Sequence, residues 1–512
     1  MAQPNDVRPI LQVSPRRRWQ NWHENFSQPL KKLVDIWNHD PNVSAVNFYN
    51  GTTAGLQELI QEAINTGDSI RGLGGGWSFS RVAATDGILV NTKPLNYRFS
   101  IGQAQVHPQY PGDAANLVFA QCGMSIAELH KYFNARGKSL KTCGASNGQT
   151  IVGALSTGTH GSALEVGPIQ DNIVGLHLVV SPGRHIWLER QSSPVLVDGF
   201  ARAFDAELIR NDDLFDAALV SFGSFGIIHG VLVEAEDIYY LHASRKRMPL
   251  DDGLWAAIDR LDFDNVTLER PPQERPYHFQ VVIDPHDLAG GGYVTVMYKD
   301  AARDPNANPP ASGGKITQGD NALEVIGVIL DLVSDLTPFA VTQLTRLVYE
   351  EYDNVSGTLA EIFTDTTTRG KTASAAMGIP LGRVREALDI ALQINREYPF
   401  PGLFAVRYVK SSPATLAFTR HPNHTGVFEI DGPKSQRTMT FYRRVWKSLD
   451  NAGIPYTFHW GKMNNLNAQR VRAMYGDATI EQWRTARHAL LDTAALRTTF
   501  ANQFLRDLGL DG

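Results

Sequence analysis

Only two cysteines, Cys122 and Cys143, occur in the 512 residues, so neither a disulfide framework nor a four-cysteine zinc site can be built, although a single bridge stays possible. Long apolar runs are missing as well. The most apolar stretch, residues 322–348, is interrupted by Glu324, Asp331 and Asp335 and contains Pro338, which excludes a membrane span. Near the N-terminus Arg16, Arg17 and Arg18 are not followed by an apolar segment, so neither a secretory nor a twin-arginine signal is read there and a cytoplasmic location is expected. A strong charge of either sign is lacking too. The formal value of −5 over this length argues against nucleic acid as a partner. No repeat is visible, and no second histidine accompanies His459 at helical ligand spacing, so no metal site is expected.

Hydrophobic residues at 43% and charged residues at 20% describe a soluble globular chain of two or three domains. From about residue 45 to 235, short runs read as strands (SAVNFY, SIRGLG, GILVNT, NLVFAQCG, GLHLVVS, HIWLER, IIHGVLVEA) alternate with helical patterns such as TAGLQELIQEAINTG. The segment 304–320, rich in proline, glycine and asparagine, reads as an exposed loop. Val325, Ile329, Leu332 and Leu336 recur at helical spacing and predict one amphipathic core or cap helix. Beyond it, strands such as LFAVRYV alternate with helices in a second α+β domain, and the last fifty residues read as helical.

The most informative stretch is RGLGGGWSFS, residues 71–80. Glycine at the first, third and sixth positions would mark a dinucleotide fold, but counting from Gly72 the sixth position is Trp77. No lysine follows the glycines, which excludes a Walker loop. What remains is a run of backbone N–H groups forming an anion-binding concavity, with Arg71 and Ser78 at its edges. A second glycine- and hydroxyl-rich segment, GQTIVGALSTGTHGS, occupies residues 148–162. Two such loops can wrap one extended anionic cofactor.

These residues resemble the flavoprotein oxidases of the vanillyl-alcohol oxidase, PCMH type, and within them the alditol and aldonolactone oxidase branch. The family's first loop, R-x-x-G-x-x-H-S, is matched by Arg71, Gly74 and Ser78; its second by Gln149, Thr150, Gly153, Ala154, Thr157, Gly158, Thr159, His160 and Gly161. Residues 211–235 and the HWGK tetrapeptide at 459–462 are similar to further family segments. The resemblance implies an α+β fold: an FAD-binding domain of two α+β subdomains over residues 1–238, a substrate-binding cap over 239–455, and a C-terminal segment, 456–512, that returns to the FAD domain.

The resemblance also implies FAD, with the diphosphate on the loop of Arg71, Gly72, Gly74, Gly75, Gly76, Trp77 and Ser78. Thr150, Gly153, Ala154, Thr157, Thr159, Gly161 and Ile228 would line the rest of the cofactor. Lys462 would face the flavin and stabilise charge that develops on it, with Arg407 and His459 as the other catalytic candidates. On an extended strand Ala405 and Arg407 share one face. The related branch commonly has Glu-x-Arg there, so Ala405 is expected to leave a larger, drier pocket without the usual acid, unless another residue supplies it. Trp77 stands where the family usually has the histidine joined covalently to the flavin, and an indole nitrogen is not such a nucleophile, so the cofactor is expected to be non-covalent. The implied reaction is oxidation of a CH–OH group of a small substrate, with O2 as acceptor and hydrogen peroxide as product. Transfer to another acceptor, or a biosynthetic cyclisation or oxygenation, is the alternative.

Overall fold

A computed structural model describes residues 9–37, 44–311, 316–333, 337–364 and 370–512. Three sheets carry the architecture. In the first, strands Ile70–Leu73, Ile88–Asn91 and Lys32–Trp37 run parallel, and Ile10–Ser14 closes one edge antiparallel to Lys32–Trp37. The second has six strands, with Ile173–Ser181, Ile227–Glu234 and Leu117–Gln121 at its centre. The third has eight and runs from Tyr352–Thr358 at one edge to Thr457–Phe458 at the other.

The helix Ala45–Thr66 spans the segment read as a β-run at SAVNFY, and that expectation is corrected. Ser44 caps it by accepting from the Asn47 N–H, and Gly67, at φ 67°, ends it. Tyr49, Thr52, Thr53, Leu56 and Ile60 then fall on one buried face at helical spacing. Tyr49 is anchored there by stacking on His229, with ring centroids 4.1 Å apart, and by a 2.5 Å hydrogen bond to His177 Nδ1. Of the residues that suggest a strand, Tyr49 lies on a helix face gripping the second sheet, whereas Val46 is exposed.

The third sheet is covered on both faces. Helices Asp252–Arg260, Val384–Glu397 and Gln436–Asn451 pack on one side, where Val281, Val406, Phe428 and Ile430 point. On the other side Val282, Tyr293, Leu403 and Ala405 meet Ala322, Val325, Ile326 and Ile329. The single helix expected over 322–348 is two helices, Ala322–Leu332 and Pro338–Val348, the second opening with proline at its first turn. Asp335 and Leu336, used in that reading, and residues 312–315 of the expected loop lie outside the described residues. Cys122 and Cys143 are both free and buried, so the possible bridge is not formed. No helix of the described residues is long and apolar enough to cross a membrane.

Candidate active site

The two glycine-rich loops meet. Strand Ile70–Leu73 ends in Gly74, whose missing side chain is a packing requirement: a Cβ there would overlap Thr150 Oγ1, which caps the helix Ile151–Thr157 through the Gly153 N–H at 3.2 Å. A Cβ on Gly75 would lie 3.1 Å from the Gly148 carbonyl, and Gly76 adopts φ 71°, a conformation glycine tolerates freely. Between the loops runs a cavity whose lining extends from the glycine loops to Arg407, His459 and Lys462, a reach that suits an extended cofactor with a donor beside it.

Gly72, Gly74, Gly75, Gly76, Trp77 and Ser78 line this cavity from one side. Thr150, Gly153, Thr157, Thr159 and Ile228 line it from the other. Ala154 and Gly161 stand one layer back. Ala154 is 1% exposed in the hydrophobic core, and Gly161 packs against Thr142 and Cys143 so closely that a Cβ would collide with both. Arg71 reaches the cavity wall, but its guanidinium is committed to backbone carbonyls, donating to Val82 O and Gly223 O at 3.0 Å, to Phe500 O at 3.2 Å and to Phe222 O. It clamps the turn beneath the loop, and its charge is not free to face an anion.

At the far end the cavity reaches the third sheet. Arg407 lies on strand Leu403–Lys410, paired antiparallel with His424–Pro433 so that Ala405 faces Glu429. Arg407 and Glu429 are therefore diagonal neighbours on one face. Arg407 Nη2 donates to Glu429 Oε1 at 2.6 Å, with both side chains almost completely buried. This corrects the expectation of a pocket without an acid: the adjacent strand supplies the carboxylate. Ala405 does not enlarge the cavity either, because Ala322, Val325 and Ile326 cover it.

Lys462 follows the last strand. The chain leaves Thr457–Phe458 and turns, with the His459 N–H bonded to Ala376 O and the Lys462 N–H to His459 O. Gly461 O accepts from Phe79 N at 2.7 Å and Trp460 O from Ser80 Oγ at 2.6 Å, stitching the turn to the first glycine loop. Lys462 Nζ is 2.8 Å from Ser374 Oγ and 4.0 Å from Glu429 Oε1. His459 lines the cavity with Nδ1 accepting from the Gly461 N–H at 3.0 Å. His160 stands beside it, ring centroids 5.6 Å apart.

Electrostatics sort these groups. Burial alone would raise the Glu429 carboxyl, but Arg407 and Lys462 outweigh it and hold the group below its ordinary value, so it is ionised. Asp431, two residues on, is pushed up to about 8 by burial and by Glu429, so it is neutral at pH 7. Glu324, which enters the cavity wall from helix Ala322–Leu332 and accepts from Ser146 Oγ at 2.7 Å, is raised by burial. Burial and the neighbours His160 and Lys462 push the His459 imidazole well below its usual range. Two cations, Arg407 and Lys462, therefore face the ionised Glu429 where the cavity meets the sheet. Arg407 Nε and Glu429 Oε2 are buried without a hydrogen-bond partner among the described residues. The set suits a ligand that takes up negative charge and offers oxygen atoms, as a flavin with an oxygen-bearing donor does.

Glu429, Glu324 and His23, which also lines the cavity, escaped the sequence reading. Glu429 could have been found only from the strand register, and Glu324 stood out there merely as a charge interrupting an apolar run.

Comparisons with known proteins agree with this geometry. A family model described as an FAD binding domain matches residues 45–189. The L-gulono-1,4-lactone dehydrogenase of Mycobacterium tuberculosis (strain ATCC 25618 / H37Rv) is 23% identical over 429 residues, 82% of this chain and 87% of that protein. The D-arabinono-1,4-lactone oxidase of Saccharomyces cerevisiae is 29% identical over 208 residues, 40% of this chain and 35% of its own. Among solved structures, cholesterol oxidase from B. sterolicum superimposes with a TM-score of 0.71 at 14% identity, covering 99% of this chain and 98% of that one. The chain thus matches an FAD binding domain over residues 45–189, is similar over most of its length to a lactone dehydrogenase, and has a fold like that of cholesterol oxidase.

Proposed function

We propose that this protein oxidises a CH–OH group of a small, oxygen-bearing donor, with O2 as the electron acceptor and hydrogen peroxide as product. FAD, when bound, supplies the redox chemistry by taking a hydride equivalent from the donor and passing the electrons on. The observation that carries the reading is the pair Arg407 and Lys462, both at the wall of the cavity that the glycine loops enclose and both set against the buried Glu429. Gly72 to Ser78 hold the diphosphate through backbone N–H groups, and Thr150, Thr157, Thr159 and Ile228 line the remainder. Lys462 supplies the positive charge that favours the reduced cofactor. Arg407, fixed by Glu429, binds a donor oxygen. His459, kept neutral, orients the donor rather than removing its proton, since so weak a base is poorly matched to proton abstraction near pH 7. On this reading residues 1–238 hold the cofactor, 239–455 the donor, and 456–512 bring Lys462 back to the flavin.

Anaerobic mixing of the FAD-loaded protein with L-gulono-1,4-lactone and with D-arabinono-1,4-lactone tests this, because these are the donors named for the relatives. Bleaching of the flavin absorbance by one of them, followed by peroxide when air is admitted, is the expected result. Bleaching without peroxide would move the protein to the dehydrogenase reading, which the name and long alignment of the mycobacterial relative favour.

The cofactor on this reading is non-covalent. Trp77 offers no nucleophile, and burial pushes the Cys122 thiol up to about 12 and the Cys143 thiol higher still, so neither gives a thiolate. Acid precipitation is expected to leave the yellow colour in the supernatant. A yellow pellet would refute the claim and direct attention to His23, the imidazole beside Trp77.

A further inference from the structure

Residues 18–29 form a small hairpin, Arg18–Gln20 against Ser27–Pro29, that precedes the matched FAD binding domain and lies against its first glycine loop. Its tip is held at both ends. On the loop side the Trp22 N–H donates to Gly76 O at 2.8 Å, Asn21 Nδ2 donates to Ser78 O at 3.0 Å, and the Trp22 indole stacks on Trp77 with centroids 5.0 Å apart and planes 13° from parallel. On the cap side Asn25 Nδ2 donates to Thr372 O at 3.0 Å and Lys434 Nζ to Glu24 O at 2.5 Å. Glu24 takes φ 54°, a left-handed conformation a glutamate holds only where its surroundings enforce it.

This fastening carries His23 into the cavity wall, where it is 2% exposed. Its ring stacks on Phe79 at 4.3 Å, and Lys462 Nζ lies 5.4 Å from the centre of that same phenyl ring. Burial first, and Lys462 second, lower the His23 imidazole to about 3, so it is neutral. Its one hydrogen bond among the described residues joins Nδ1 to Thr372 Oγ1 at 3.4 Å, which leaves Nε2 for a ligand. Lys462, whose charge acts on His23, donates to the Ser374 hydroxyl at 2.8 Å. His23, Thr372, Ser374 and Lys462 in this corner all carry hydrogen-bonding side chains, and Phe79 and Trp77 pack against His23.

We propose that the hairpin tip and strand Thr372–Pro380 build a donor subsite in which His23 Nε2, with Lys462, binds an oxygen of an oxygen-rich donor rather than an apolar one. The inference rests on the reading of the cavity as the site of FAD and donor. Trp77 then serves as the plate on which Trp22 seats the hairpin.

Two probes test the subsite on the FAD-loaded protein: sulfite, a small oxyanion whose binding is followed by flavin absorbance, and L-gulono-1,4-lactone, followed by turnover. In His23→Leu the sulfite Kd and the lactone KM should each rise about tenfold, the loss of one hydrogen bond, with kcat within about twofold of wild type. Trp22→Ala, which unseats the hairpin, should move both constants in the same direction, and His23→Gln should return them to within about threefold of wild type. Melting temperature and FAD content identify a variant that has merely failed to fold, in which case Trp22→Ala and His23→Gln decide. Constants within about twofold of wild type in a folded, FAD-replete His23→Leu overturn the subsite. If no lactone bleaches the wild-type flavin, the donor reading fails by itself and the sulfite titration still judges His23.

Discussion

Replacing Lys462 by methionine is expected to slow donor-dependent bleaching of the flavin by about 10²- to 10³-fold while leaving FAD bound. Methionine keeps most of the unbranched side chain, one atom shorter, and removes its charge. Lys462 Nζ touches Ser374 and approaches Glu429, so without it the cavity loses one of its two cations and Arg407 alone faces Glu429. The cost falls on the step that builds negative charge, and the end of the cavity formed by the glycine loops is untouched. Rapid mixing of the anaerobic variant with the best donor found for the wild type reads the rate directly. A rate within about fivefold of wild type would transfer the electrostatic role to Arg407.

Arg407→Met should be costly in a different currency, stability. Its guanidinium is the main partner of a fully buried carboxylate, and removing one member of such a pair typically costs about 3–5 kcal/mol because the other charge is left in place. Lys462, 4.0 Å from Glu429, compensates only in part. The double variant Arg407→Met, Glu429→Leu should recover most of the lost stability and none of the activity, which separates the packing role of the pair from its role toward the donor. Denaturant melts with and without FAD measure both. A loss below about 1 kcal/mol in the single variant would mean that the carboxylate is solvated, contrary to its burial.

What could be read from the chain was whatever depends on local spacing. The glycine loops carry their chemistry in consecutive residues, and the HWGK turn places a lysine beside them once the resemblance is seen. Glu429 was hidden because its partnership with Arg407 is a matter of register between strands, and the Glu-x-Arg pattern was sought along one strand only. The absence at Ala405 was real; the inference of an empty, acid-free pocket failed because a helix and a neighbouring strand filled both roles. SAVNFY misled because β-branched and aromatic content was allowed to outweigh the cap at Ser44 and the helical spacing of Tyr49, Thr52, Thr53 and Leu56. His23 sits in a segment without a motif, and only its contacts with Phe79 and Trp77 reveal it.

The clamp beneath the first glycine loop also sets a timetable for biosynthesis. Arg71 reaches Phe500 O, Asn502 Nδ2 donates to Val82 O and Ala84 O, and Gly461 O holds Phe79. A nascent chain that has just emerged through residue 238 contains both glycine loops but none of these fastenings. Arg71 can already clamp Val82, Phe222 and Gly223 in that chain, but the bonds that tie the loop to the C-terminal segment form only once residue 502 has been made.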